Sequence, residues 1–82
     1  MVAMRLGTRV AHTSETIAVS VNGTPREIPP GTTVSGLLAL LGVERGRVAV
    51  ERNQDVVPKK DYDAVLLAAG DRLEIVSFVG GG

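Results

Sequence analysis

Residues 16–21 alternate apolar and polar side chains and run directly into Asn22-Gly23. Period-two alternation is typical of a strand with one buried face, and an Asn-Gly pair readily adopts the positive φ angles of a two-residue hairpin turn. Residues 25–28 can return as a second strand, for which Pro25 favours an edge position because proline has no N–H to donate. The ordered chain is therefore predicted to begin with a β-hairpin, whose apolar face needs a covering element.

An amphipathic helix is predicted directly after this hairpin. Pro29-Pro30-Gly31 interrupts the sheet, and Thr32 or Thr33 can cap the helix with a side-chain oxygen. Apolar residues then recur at i, i+3, i+4 and i+7, a spacing that places them on one face: Val34, Leu37, Leu38 and Leu41. Gly42 is expected to end the helix. Gly36 costs about 1 kcal/mol relative to alanine inside a helix, so we expect it to mark a close approach of helix to sheet.

Three further strands are predicted, at residues 48–52, at Val56-Val57 and after Gly70-Asp71. The connection at residues 59–69 is irregular, and its Tyr62 is expected to be a buried structural side chain with a hydrogen-bonded hydroxyl. The order of elements predicts a small α+β domain at residues 16–82, with one main helix packed across a mixed sheet. Residues 1–15 show no alternation and are predicted to be a flexible, dispensable extension, although a short partner-binding arm is the alternative.

Exposed apolar side chains are predicted near the end of the last strand. If its odd-numbered positions join the core, Val76 and Phe78 lie on the opposite face, beside Ala18 and Ala49 if the register allows. Such a group can form a docking surface. Scattered surface hydrophobics are also ordinary, so both interpretations stay open.

Composition excludes several kinds of site. The chain has no Cys, no Trp, a single His, two aromatic residues and a formal net charge of zero. It therefore has no thiolate nucleophile and no Cys- or His-rich metal site, and it offers neither a stacking platform nor a basic surface for nucleic acid. Its apolar stretches are too short to span a bilayer. A carrier or interaction module is favoured over an enzyme, because no base, nucleophile pair or metal site is visible.

The sequence ends with Val79-Gly80-Gly81-Gly82 directly after the last predicted strand. Three glycines there would arise by chance in about 0.03% of chains of ordinary composition, and a linker remnant is the other explanation. Glycine has no Cβ, so such a tail can enter a narrow tunnel and deliver the α-carboxylate of Gly82. A partner that aligns this carboxylate with the α-phosphate of ATP would form an acyl-adenylate, which sulfur or an amine can attack.

These segments together resemble the ThiS family, the sulfur carriers of bacterial thiamine biosynthesis, which have the ubiquitin-like β-grasp fold. The resemblance covers about residues 17–82. Its most specific parts are the Ala-Val-Glu-Arg-Asn segment at 49–53, Val57-Pro58, and the Phe-Val-Gly-Gly-Gly ending at 78–82. Gln54-Asp55 departs from the family pattern, which often has a glycine in this turn.

The resemblance implies a reaction cycle. An E1-like, ThiF-like enzyme would adenylate the Gly82 carboxylate with ATP and Mg, and a sulfur-donor system would convert it to a thiocarboxylate. A ThiG-like thiazole synthase would then take the sulfur. By position, Gly80 and Gly81 would thread the tail, and the docking residues would be Val76, Phe78 and Val79. The chain itself would have no catalytic or metal-binding residues and no cofactor, and would be cytoplasmic.

Two alternatives remain. The small subunit of molybdopterin synthase shares the fold, the glycine ending and thiocarboxylate chemistry, but it commonly has proline near the position of Ser77. A non-covalent β-grasp interaction module would leave the glycines unused.

Overall fold

The computed structural model describes residues 15–78, and within them the predicted hairpin forms. Strands β1 (Ile17–Val21) and β2 (Thr24–Ile28) are antiparallel. Asn22 and Gly23 join them with φ angles of 50° and 85°, the positive values that a type I′ turn requires at both central positions. Strand β2 lies at an edge of the sheet, as Pro25 predicted.

Helix α1 (Val34–Leu41) has the predicted boundaries. The Thr33 hydroxyl accepts a hydrogen bond from the Gly36 N–H at 3.1 Å, and Gly42 ends the helix in the left-handed conformation at φ 74°. The predicted approach of Gly36 to the sheet is wrong. A Cβ at Gly36 would meet the Thr32 methyl carbon at 3.2 Å and the Thr33 hydroxyl oxygen at 3.6 Å, so the crowding lies within the capping turn.

Strands β3 (Val48–Arg52), β4 (Asp55–Val57) and β5 (Arg72–Ser77) complete a mixed five-stranded sheet in the order β2-β1-β5-β3-β4. The last strand in sequence is the central strand in space, parallel to β1 and antiparallel to β3. Two short 3₁₀ helices, Arg45–Arg47 and Lys59–Asp61, lie in the connections. The α+β mixed sheet with one main helix is therefore confirmed.

The core lies between α1 and one face of the sheet, where aliphatic side chains from every strand meet the helix. The predicted helix residues Val34, Leu37 and Leu38 are buried, and Leu41 is half-buried. Tyr62 is also buried, and its hydroxyl donates to the Val48 carbonyl oxygen at 3.4 Å. Its predicted structural role is confirmed.

No helix between residues 15 and 78 combines the length and the apolar character needed to cross a membrane. The predicted division into an extension at 1–15 and a domain at 16–82 stays a prediction, because residues 1–14 and 79–82 lie outside the described range.

Candidate functional site

The candidate site is the end of β5, where the chain leaves the sheet at Phe78. The Phe78 backbone N–H donates to the Arg47 carbonyl oxygen at 2.8 Å, one position beyond the pairing of Ser77 with Val48. The Lys59 Nζ lies 5.5 Å from the centre of the Phe78 ring, a cation–π distance. Phe78, the last described residue, is thus held by a backbone hydrogen bond and a ring contact.

The predicted acceptor Gly82, the threading residues Gly80 and Gly81, and the docking residue Val79 lie outside the described residues. The structure places the two other predicted docking residues. Val76 and Phe78 are 58% and 43% exposed, as their strand positions predicted. Their docking role stays a prediction.

One predicted neighbour of Val76 is present and the other is not. Ala49 lies directly opposite Val76 across the β3–β5 pairing. Ala18 instead lies beside the start of β5, where its carbonyl oxygen accepts the Gly70 N–H at 2.8 Å. The prediction for Ala18 is wrong because β1 and β5 run parallel, which aligns β1 with the first residues of β5.

The face of the sheet turned away from α1 carries a feature that the sequence analysis missed. We call this face the outer face, and near the end of β5 it is formed by Ala49, Glu51, Val56, Glu74 and Val76. Glu51 and Glu74 lie directly opposite each other, and Val56 lies opposite Glu51 on the next strand. Both glutamates are exposed. Strand register brings these carboxylates together, and no local sequence pattern indicates it.

The middle of β5 is held by an asparagine that the sequence analysis placed only in a turn. The Asn22 Oδ1 accepts the Ile75 N–H at 2.8 Å, and its Nδ2 donates to the Ile75 carbonyl oxygen at 3.1 Å. These side-chain bonds continue the β1–β5 ladder beyond the point where β1 turns away. The backbone amide and carbonyl of Ile75, in the central strand, thereby gain hydrogen-bond partners.

The start of β5 is held by Asp71, which is 6% exposed. Its carboxylate accepts hydrogen bonds from the Arg52 Nε at 2.8 Å, the Asn53 Nδ2 at 3.1 Å and the Ala68 N–H at 2.8 Å. Burial alone would raise the pKa of Asp71. The hydrogen bonds from Ala68, Asn53 and Arg52, with the Arg52 charge, outweigh burial and hold that pKa below its ordinary value of 3.8.

Within residues 15–78, no three His, Cys, Asp or Glu side chains are arranged to hold a metal ion. What the described residues supply is a rigid central strand, held at its start, middle and end, with an exposed face beside its last residues. This arrangement can present a following segment to another protein.

A family model, a relative and a solved structure agree on one family. The ThiS family model matches residues 19–82. A sulfur carrier protein ThiS from Bacillus subtilis is 46% identical over 50 residues, which cover 61% of this chain and 76% of that protein. The crystal structure of a thiamine biosynthesis protein, ThiS, from Geobacter metallireducens superposes with a TM-score of 0.70 at 33% identity, covering 80% of this chain and 100% of that chain.

A second group of relatives consists of much longer proteins. A thiazole synthase from Paramagnetospirillum magneticum is 50% identical over 62 residues, and one from Magnetococcus marinus is 47% identical over 64 residues. These matches cover 76% and 78% of this chain, but it spans only about one fifth of either synthase, at 19% and 20% of their lengths.

Proposed function

The chain belongs to the ThiS family, with its ubiquitin-like β-grasp fold, and on this premise we propose that it carries sulfur on the carboxylate of Gly82 for thiamine biosynthesis. The observation that carries the proposal is the position of β5, the central strand of the sheet, which the sequence connects to the three glycines through Phe78 and Val79. A firmly held strand followed by residues without side chains suits delivery of a single terminal group into an enzyme.

The first step of the proposed cycle activates the carboxylate. An E1-like adenylating enzyme would bind ATP and Mg, and a Gly82 carboxylate oxygen would attack the α-phosphorus and release pyrophosphate. Hydrosulfide would then attack the acyl carbon of the adenylate and expel AMP, which leaves a thiocarboxylate. The chain supplies only the carboxylate and its position, whereas the partner supplies the nucleotide chemistry.

The length of the tail limits where the partner can hold ATP. Residues 79–82 lead from Phe78 to the proposed acceptor carboxylate, and an extended chain advances at most about 3.3–3.6 Å per residue, so that carboxylate lies within about 14 Å of Phe78. The partner must therefore hold its α-phosphate within that distance of Phe78. This requirement supports a docking role for Val76, Phe78 and Val79, since the body of the domain must lie against the partner.

The proposed recipient of the sulfur is a thiazole synthase. The two thiazole synthases that resemble this chain over more than 60 residues support this choice. In this second step the sulfur would leave the acyl carbon at the sulfide level for the recipient's substrate, and an oxygen atom from water or from that substrate would replace it, which regenerates the Gly82 carboxylate. Since the cycle consumes ATP, we place it in the cytoplasm.

The test is intact-mass spectrometry of the full chain after incubation with ATP, Mg, an E1-like adenylating enzyme and sulfide. We expect one oxygen to be replaced by sulfur in the peptide that contains Gly82. Deleting Gly82, or adding one alanine after it, should abolish the change while leaving the melting temperature nearly the same. Gly46→Ala is the matched control, because Gly46 is exposed and a Cβ there meets nothing within 4 Å.

Normal sulfur transfer by the chain without Gly82 would overturn the proposal. So would an unmodified wild-type chain in the presence of a partner that is active on another carrier, which would favour a non-covalent module. Discharge of the thiocarboxylate by a pterin precursor but not by thiazole synthase would assign the chain to molybdopterin synthesis instead.

A further inference from the structure

We propose that the outer face docks on the adenylating enzyme by enclosing one arginine side chain of that enzyme between Glu51 and Glu74. The inference rests on the proposed function for the identity of the partner. Its evidence is separate, because it comes from the register of β3, β4 and β5 and from the charges on that face.

The first observation is that two like charges are placed directly opposite each other. Directly cross-strand side chains in an antiparallel pair have Cβ atoms about 4.5–5.5 Å apart, and like charges there are destabilising. Glu51 and Glu74 occupy such a pair in the middle of the β3–β5 ladder. The free protein therefore carries an unfavourable interaction that a bound cation would relieve.

The second observation is that, among the described residues, no neighbouring basic side chain is paired with Glu51 or Glu74 to offset their repulsion. Between residues 15 and 78, neither Glu51 nor Glu74 forms an ion pair, although four other ion pairs are present there. Arg72 lies two positions before Glu74 on the same face, but it forms no ion pair with either glutamate. Arg52, the next basic residue along β3, is bound to Asp71 at 2.8 Å.

The third observation is that exposed apolar side chains border the glutamates. Val56 is 70% exposed and lies opposite Glu51, while Val76 is 58% exposed and follows Glu74 on the same face. Ala49, opposite Val76, completes the border. A partner that covered these residues would exclude water from the two carboxylates, and in such surroundings a charged pair contributes most to specificity.

The chemistry of the two carboxylates favours arginine. A guanidinium carries five N–H donors in a planar fork and is less strongly hydrated than an ammonium group, so one arginine can serve two neighbouring carboxylates. The adenylating enzyme is the partner to which we commit. Glu74 and Val76 lie on the strand that continues through Phe78 into a tail of about 14 Å at most, so the protein that activates Gly82 must lie close to this face.

The test uses the full chain and measures affinity and stability separately. The variants are Glu51→Gln, Glu74→Gln and the double substitution. The matched control is Glu27→Gln, which removes the same charge from an exposed residue on the same side of the sheet, two strands from Glu74 and three from Glu51. For each protein, the Kd for the adenylating enzyme is measured without ATP, followed by KM and kcat for adenylation and by urea unfolding.

We expect the double variant to raise Kd and KM about tenfold or more, which corresponds to about 1.4 kcal/mol, with kcat nearly unchanged. Its resistance to urea should equal or exceed that of the wild type, since the repulsion is gone. In double-mutant cycles that pair Glu74→Gln with arginine-to-alanine variants of the enzyme, one arginine should show coupling.

Three results would overturn the inference. They are a Kd for the double variant equal to that of the control, a loss of stability in both single variants, and the absence of any coupled arginine. The inference would also be overturned if the glutamate substitutions weaken binding only while residues 1–14 are present. The outer face would then bind that segment, which carries Arg5 and Arg9. If the wild type binds in the predicted, glutamate-dependent way but gains no sulfur, the docking inference stands and the proposed carrier function fails.

Discussion

Replacing Asp71 by asparagine should destabilise the domain even though the two side chains have the same shape. The Asp71 Oδ2 accepts the Arg52 Nε and the Ala68 N–H, and its Oδ1 accepts the Asn53 Nδ2. An asparagine can keep its one oxygen toward the first two donors, but its NH₂ group then faces the Nδ2 of Asn53. Asn53 cannot turn its amide over at no cost, because its Oδ1 accepts the Arg72 N–H at 2.9 Å.

The magnitude follows from these contacts. A hydrogen bond to a charged group contributes about 1.5–3 kcal/mol, and an unsatisfied buried donor costs about 1–3 kcal/mol. The Arg52 side chain is 33% exposed, so water replaces part of the interaction that Arg52 loses with the Asp71 carboxylate. We therefore expect Asp71→Asn to lower the free energy of unfolding by about 2–3 kcal/mol near neutral pH, a large share of the stability of so small a domain.

The pH dependence has a definite sign. The pKa of Asp71 is lowered in the folded protein, so its stabilisation is fully present above the ordinary value of 3.8. That stabilisation is lost as the pH falls through the lower, folded-state pKa. The difference between wild type and Asp71→Asn should therefore shrink progressively as the pH is taken below that ordinary value.

Urea unfolding, followed by circular dichroism at neutral pH and at about pH 3, measures both effects. Asp63→Asn is the control, because it also removes an aspartate paired with an arginine, at 2.9 Å, but its side chain is 74% exposed. Exposed ion pairs contribute little to stability. If Asp71→Asn unfolds at the same urea concentration as this control, the argument from the buried hydrogen bonds is wrong.

Three further predictions concern the turn, the exit of the chain and the extension. Gln54 has a φ of 76°, a backbone conformation that glycine adopts without strain, so Gln54→Gly should stabilise the domain by about 1 kcal/mol. Gln54→Ala should not stabilise it, and urea unfolding measures both variants. Equal changes in the free energy of unfolding for the two variants would contradict this prediction. Phe78→Ala should lower the free energy of unfolding by about 1 kcal/mol, since the ring is 43% exposed. Calorimetry should show a larger loss in the free energy of binding to the adenylating enzyme. A loss of several kcal/mol in the free energy of unfolding would instead make Phe78 a core residue. Removing residues 1–14 should leave both melting temperature and sulfur transfer intact, and impaired transfer would give that segment a role.

Parts of the candidate site were predictable and parts were not. Val76 and Phe78 followed from period-two alternation, because a strand with one buried face exposes its alternate residues. Whether Ala49 and Ala18 lie beside Val76 depended on which strands are neighbours and on the offset between them. Ala49 does lie there, whereas the prediction for Ala18 was wrong. No local pattern contains that offset, since β1 and β5 are more than 50 residues apart in sequence.

The sequence alone determined the hairpin turn at Asn22-Gly23, the caps of α1 at Thr33 and Gly42, and the alternation of β1, β3 and β5. These features depend on φ preferences, capping hydrogen bonds and side-chain periodicity, all of which act over a few neighbouring residues. Only the tertiary structure decided that β5 is central and that Asn22 bonds to Ile75. It also placed Glu51 opposite Glu74. These pairings join residues distant in sequence, and they are selected by how the whole sheet buries its apolar face against the helix.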